Sequence, residues 1–300
     1  MKNVLKWIGL VVVGLILIVA VTAIYYINNF EYRIGRTFDI TPQEFSIPDD
    51  SLALAEGKRL VNIHCTMCHG NDLGGTEFFN DPMMGSIPAS NLTPGEGGIG
   101  SQYSSIDFVR AIRHGVKKDG KAAFVMPSKE FQHLSDRDLG YIVAYLQTLR
   151  PVDKRWGGPH LTLLARALAG MGMFGDVLNA ENINHQALVS VRAPRAAVTT
   201  NYGKYLVRIS GCQSCHGEQL NGKQPGEPGA PFAPNITPGG ALGKWSRDQF
   251  ISTIRTGTTP ENRKLNPKYM PYEGFKHMTD EELSAIYLFL GGQPTLASAE

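Results

Sequence analysis

The chain has 300 residues, 42% of them hydrophobic and 19% charged, which suits two or three packed domains and excludes a disordered polypeptide. A formal net charge of +2 without a block of like charges leaves no electrostatic footprint for nucleic acid, and no nucleic-acid partner is expected. The 33 glycines and 18 prolines point to long loops between short helices.

Residues 1–30 read as an N-terminal membrane anchor. Trp7 to Ile27 carries no charged residue; as a helix it reaches about 31 Å, enough to cross a hydrocarbon core. Trp7, Tyr25 and Tyr26 lie near its ends, where aromatic rings favour the interface. A cleaved signal peptide is the rival, since Val21-Thr22-Ala23 offers small residues to a peptidase. The apolar run continues past Ala23, however, and exceeds the roughly 7–15 residues of a signal core. A single retained span is the expectation. Lys2 and Lys6 precede it while Arg33 and Arg36 follow, so flanking charge barely orients it.

A first domain is expected at 50–150. A helix over Leu52–Ile63 runs into Cys65-Thr66-Met67-Cys68-His69. A string of this form attaches haem: two thiols add to the vinyl groups and the adjacent histidine ligates iron. A long loop with Asn91-Leu92-Thr93-Pro94 follows, then a helix over Ser105–His114, a loop with Met126-Pro127, and Ser135-Asp136-Arg137-Asp138 as the capping box of a final helix. That helix has apolar residues at helical spacing, Leu139, Ile142, Val143 and Leu146. No strand pattern stands out.

Residues 151–195 connect this unit to the next. Leu161 to Phe174 is apolar but too short to span a bilayer. It reads as a strap packing the haem domains together, with a membrane- or partner-facing surface as the alternative.

The second domain, 196–300, repeats the first. Gly57-Lys58 matches Gly203-Lys204, Asn91-Leu92-Thr93-Pro94 matches Asn235-Ile236-Thr237-Pro238, and Met126-Pro127 matches Met270-Pro271. The second haem string is Cys212-Gln213-Ser214-Cys215-His216, so the two copies account for all four cysteines. A zinc site would need further ligand pairs nearby, and a thioredoxin-type pair would need a βαβ setting; neither pattern is present.

His69 and His216 are therefore the expected proximal ligands. For the opposite faces, Met126 and Met270 are the methionines that hold one position in both repeats and precede proline. A soft thioether opposite imidazole favours reduced iron and raises the potential. His133 and His277 also match each other, but they stand just before the final helix, where a capping or surface role suits them better. The Asn-x-Thr strings read as turn-holding structure rather than glycosylation sites. Arg113 and Arg255 are candidate partners of haem propionates, with a solvated helix end as the alternative.

Each unit resembles a class I c-type cytochrome. The Asn-Leu/Ile-Thr-Pro element, with its Ile-Arg-x-Gly helix end (Ile112-Arg113, Ile254-Arg255), is similar to the cytochrome c subunits of membrane-bound alcohol, aldehyde and gluconate dehydrogenases. That family usually carries three haem strings, whereas this chain has two and an N-terminal anchor. The resemblance implies an all-α architecture: two tandem cytochrome c-like domains behind a transmembrane helix. It also implies two covalently bound haem c groups held through Cys65, Cys68, Cys212 and Cys215, and relay of electrons between redox partners, whether a dehydrogenase, a quinol-oxidising complex or a terminal oxidase. Because haem c is attached outside the cytoplasm, the domains should face the periplasm or its equivalent. The competing reading is a dihaem enzyme such as a peroxidase, which needs one five-coordinate iron; the paired methionines speak against it.

Overall fold

The computed structural model describes residues 2–187, 190–226 and 229–299. Helix α1 (Lys2–Gly35) is long and apolar enough to cross a membrane. Its first two-thirds project free of the body, but a stripe of Ala23, Tyr26, Ile27, Phe30, Arg33 and Ile34 is shielded from solvent. That three-and-four spacing marks one helical face packed on protein. Phe30 is fully buried, beside Val116, Leu161, Ala165, Ala169 and Leu178.

The first domain begins with α2 (Ser51–His64), capped by the Asp50 carboxylate, which accepts from the Leu52 and Ala53 amides. Then come α3 (Thr66–His69), α4 (Ser105–His114), α5 (Ser128–Phe131) and α6 (Asp136–Leu146). The reciprocal capping box at Ser104 and Asp107 fixes the start of α4, and left-handed Gly115 ends it. Helix α2 crosses α6 so closely that a Cβ on Gly57 would stand 2.0 Å from the Tyr141 carbonyl oxygen. The repeat reproduces this with α8 (Thr200–Ile209) on α12 (Asp280–Gly291), where a Cβ on Gly203 would stand 2.0 Å from the Ala285 oxygen. The matched glycines are thus required by the two helix crossings. Helices α9 (Cys212–His216), α10 (Arg247–Thr256) and α11 (Tyr272–Phe275) complete the second domain.

A small antiparallel sheet departs from the purely helical expectation. Strand β2 (Gly85–Ile87) lies between β1 (Phe79–Asp81) and β3 (His160–Leu161) and pairs with both, Gly85 standing opposite Leu161. Strands of two or three residues carry no period that a sequence pattern could reveal. The connector touches the second domain, a Cβ on Gly226 falling 3.6 Å from the Phe174 backbone, and it also does more than a strap would. Its helix α7 (Leu163–Gly170) packs antiparallel on the end of α1, with a Cβ on Gly170 falling 2.3 Å from the Tyr26 oxygen and Arg166 paired to Glu31 at 2.9 Å. Arg33 pairs with Glu181 at 2.6 Å. The connector therefore clamps α1 to the first domain.

The two domains meet directly across a pseudo-twofold axis. Arg59 of α2 donates to Glu282 of α12 at 2.7 and 3.0 Å. Its counterpart in the repeat, Tyr205 of α8, donates to Asp138 of α6 at 2.6 Å. Hydrophobic residues of both domains form one continuous core.

A histidine pair joins the connector to the first domain. The Nδ1 atoms of His114 and His185 are 3.1 Å apart, and His185 Nε2 lies 3.0 Å from the Ala180 oxygen. A carbonyl only accepts, so His185 carries its proton on Nε2 and His114 donates from Nδ1; both rings are neutral. Burial, then the neighbouring His185 ring and the positive charges of Arg113 and Arg110, holds His114 down at about 4. In the unfolded chain it titrates near 6.5. The unfolded state therefore takes up the proton first, and stability that is full above about pH 6.5 is lost as pH falls towards about 4. The urea midpoint should fall between about pH 7 and about pH 5, and His114→Gln should flatten that slope. An equal slope in the variant would assign the acid sensitivity elsewhere.

Candidate haem-binding site

Helix α2 delivers the first haem string to the wall of a cavity of about 600 Å³, whose lining includes Cys65, Cys68, His69, Phe108 and Met126. The expected proximal histidine and the expected methionine thus face one space. Among the described residues none of the four cysteines forms a disulfide. Burial pushes the Cys65 thiol up to about 12 and Cys68 up to about 11, and Cys212 likewise to about 12.

The histidine ring is set by the backbone. His69 Nδ1 lies 2.8 Å from the Ser90 carbonyl oxygen, and His216 Nδ1 lies 2.7 Å from that of Pro234. Each carbonyl fixes the proton on Nδ1 and leaves Nε2 as the coordinating nitrogen. Burial lowers both histidines against the opposing pull of these carbonyls, which keeps the rings neutral, the form that ligates a metal. Ser90 and Pro234 went unseen in the sequence because carbonyls carry no side-chain signature. Their place immediately before the repeated Asn-x-Thr-Pro was the available signal.

That element is built as structure. Asn91 and Thr93 are buried; Asn91 Oδ1 accepts from the Thr93 amide at 2.9 Å and hydroxyl at 2.8 Å, while its Nδ2 donates to the Val152 oxygen at 2.7 Å. Asn235 repeats the arrangement, donating to the Leu296 oxygen at 2.9 Å. In each domain the turn beside the histidine is therefore tied to the segment leaving the final helix.

The arginines depart from the propionate expectation. Arg113 is buried, paired with Asp136 at 2.8 Å and donating to the Leu134 oxygen at 2.8 Å. Arg255 pairs with Asp280 at 2.6 Å and donates to the Lys276 oxygen. Each binds the N-terminus of its domain's last helix, where an acidic residue also complements the helix dipole. The cations bordering the cavity are instead Lys117, Lys121 and Arg166. His133 is not among the lining residues, whereas His64 is, its ring edge-on to Phe131 with centroids 5.9 Å apart. Burial holds His64 down at about 4.

A wide apolar cavity with two cysteines, a neutral histidine and a thioether in its lining fits a covalently attached haem. The second domain presents the same parts: Cys212 and Met270 packed on the core and His216 held by Pro234.

Comparison with known proteins agrees. Residues 52–146 match the family described as cytochrome c oxidase, cbb3-type, subunit III, and residues 201–293 match the cytochrome c family. The chain is 28% identical over 255 residues to the fructose dehydrogenase cytochrome subunit of Gluconobacter japonicus, covering 78% of this chain and 51% of that protein. It is 26% identical over 254 residues to the cytochrome c subunit of the quinone-dependent alcohol dehydrogenase of Gluconobacter oxydans, covering 77% and 52%. Over 108 residues it is 33% identical to the gluconate 2-dehydrogenase cytochrome c subunit of Pantoea cypripedii, covering 32% and 24%. The chain spans about half the length of the first two relatives. The chain is a c-type cytochrome with two cytochrome c domains, whose cysteine pairs 65/68 and 212/215 fit two covalent haem c groups.

Proposed function

We propose that this chain is a membrane-anchored electron relay, its two haem domains facing the periplasm and taking electrons from a dehydrogenase. The observation that carries it is the single cavity into which Cys65, Cys68, His69 and Met126 all open. Haem c, when bound, supplies a one-electron couple at each site. The chain's residues do the rest. Cys65 and Cys68, and Cys212 and Cys215, pin the group. His69 and His216, neutral and aimed by backbone carbonyls, bind from one face. Met126 and Met270 would supply the second ligand of each haem, and the proline after each stiffens the loop. Held by a histidine and a methionine, each haem would have no open position for a substrate, which suits transfer rather than catalysis. The relatives named as dehydrogenase cytochrome subunits support a dehydrogenase as donor; quinol-oxidising complexes and terminal oxidases are further candidate partners. The burial of Phe30 supports retention of α1, since cleavage after Ala23 would leave the docked half of the helix without its anchor.

A spectrum of the oxidised protein tests this reading. Both haems should give the weak absorption at the red end that arises from sulfur–iron bonding. A high-spin, five-coordinate population that turns over peroxide would contradict it.

A further inference from the structure

We propose that the turn after α7, Met171 to Phe174, is a second membrane contact that dips into the lipid beside α1. The inference rests on the reading of α1 as a retained anchor. Because α7 runs antiparallel to α1, the Arg166–Glu31 pair lies towards the body and Gly170 reaches Tyr26, in the last turn of the apolar run Trp7–Ile27. The chain then continues at this membrane-side end: Met171 and Met173 donate their amides back to the Ala167 and Leu168 carbonyls, which holds the turn at the foot of α7.

What the turn displays is apolar. Met173 is 60% exposed and Met171 44% exposed, while Phe174 turns inward against the cluster around Phe30. From Ala167 to Gly175 the sequence has no charged residue. Tyr25, on the neighbouring turn of α1, is 64% exposed and belongs with an interfacial ring. The turn adjoins the span through Gly170 and Tyr26, and Gly226 of the second domain lies against its backbone; for the exposed methionine side chains the occupant that fits is the lipid itself. A monotopic contact of this kind settles about 5–10 Å into the headgroup and acyl boundary. Flexible thioether side chains adapt well to that layer. Neither methionine has a partner in the other repeat, which accords with a role outside haem ligation. With no basic residue in the turn, the contact draws on apolar burial, and salt should not release it. Its consequence is orientation: span and turn together hold the first domain in one attitude to the membrane, where a span alone lets the body swivel.

The test uses the full haem-loaded chain in vesicles of phosphatidylethanolamine and phosphatidylglycerol. Haem attachment consumes the native cysteines, so Met173→Cys, Val11→Cys and Lys204→Cys each carry one free thiol. Met173→Cys should react with a membrane-impermeant maleimide about tenfold or more slowly than Lys204→Cys, as a thiol withdrawn from water loses its thiolate, while a membrane-soluble maleimide labels it. Val11→Cys should be shielded from the impermeant reagent too. Rapid impermeant labelling of Met173→Cys with Val11→Cys still shielded would overturn the inference and leave the anchor standing, as would failure of both reagents at Met173→Cys. Rapid labelling of Val11→Cys would overturn the anchor and the inference with it.

Discussion

Replacing Met126 with alanine lowers one of the two midpoint potentials and leaves the other in place. Met126 opens into the same cavity as His69, and the thioether is the ligand that favours reduced iron. Axial ligands move haem potentials over about 0.8 V, so the loss should be on the order of a hundred millivolts or more. The vacated face should then accept carbon monoxide in the reduced state, at one haem per chain. A redox titration with a carbon monoxide difference spectrum reads both effects. An unchanged titration would show that another side chain holds that face; His64, on the cavity wall, would be the first to examine.

The second large effect is expected at Glu282. This buried carboxylate accepts from both Arg59 guanidinium nitrogens, from the Thr279 amide at 2.7 Å and from the Tyr202 hydroxyl at 3.2 Å. It serves as capping-box residue of α12 and as a latch between domains. Burial opposes the charge on Arg59, but the Glu282 and Glu56 carboxylates outweigh it and hold the guanidinium above its ordinary value. Glu282→Ala leaves Arg59 with Glu56 alone and the α12 end without its reciprocal cap, at a cost of about 3 kcal/mol. Tyr205→Phe, at the position that repeats Arg59, removes a hydroxyl that donates to Asp138 and accepts from the Ser135 amide, and should cost about 1–2 kcal/mol. Combining Arg59→Met with Glu282→Leu should recover much of the loss, because a buried ion pair is often replaceable by packed apolar residues. Denaturant melts of the three variants check the order; a Glu282→Ala protein as stable as the parent would remove the latch from this account.

The sequence carried the repeat, and with it most of the site. Side chains tied to covalent chemistry, Cys65, Cys68 and His69 and their copies, stand at fixed spacing on a short helix, so their geometry follows from their order. The boundaries of α4 and α10 were legible because Ser104 and Ser246 form reciprocal caps and Gly115 and Gly257 end both helices in the left-handed conformation. The capping box expected at Ser135 is half formed. Ser135 accepts from the Asp138 amide, but the Asp138 carboxylate is engaged by Tyr205 and Arg137. A tertiary partner thus claimed a group that local sequence assigned to its own helix. Arg113 and Arg255 misled for the same reason: matched arginines signal a shared partner without naming it, and the partner was an acid at the start of the last helix. The carbonyls of Ser90 and Pro234, and the docking of α7 on α1, depend on contacts between distant segments and leave no local pattern.

The intact mass of the mature protein tests the central claim most directly. The account predicts a polypeptide heavier than its bare chain by two haems, and by one haem after Cys65 and Cys68 are both replaced with serine. A colourless protein at the mass of the polypeptide alone, or a double-serine variant that keeps both haems, would contradict it.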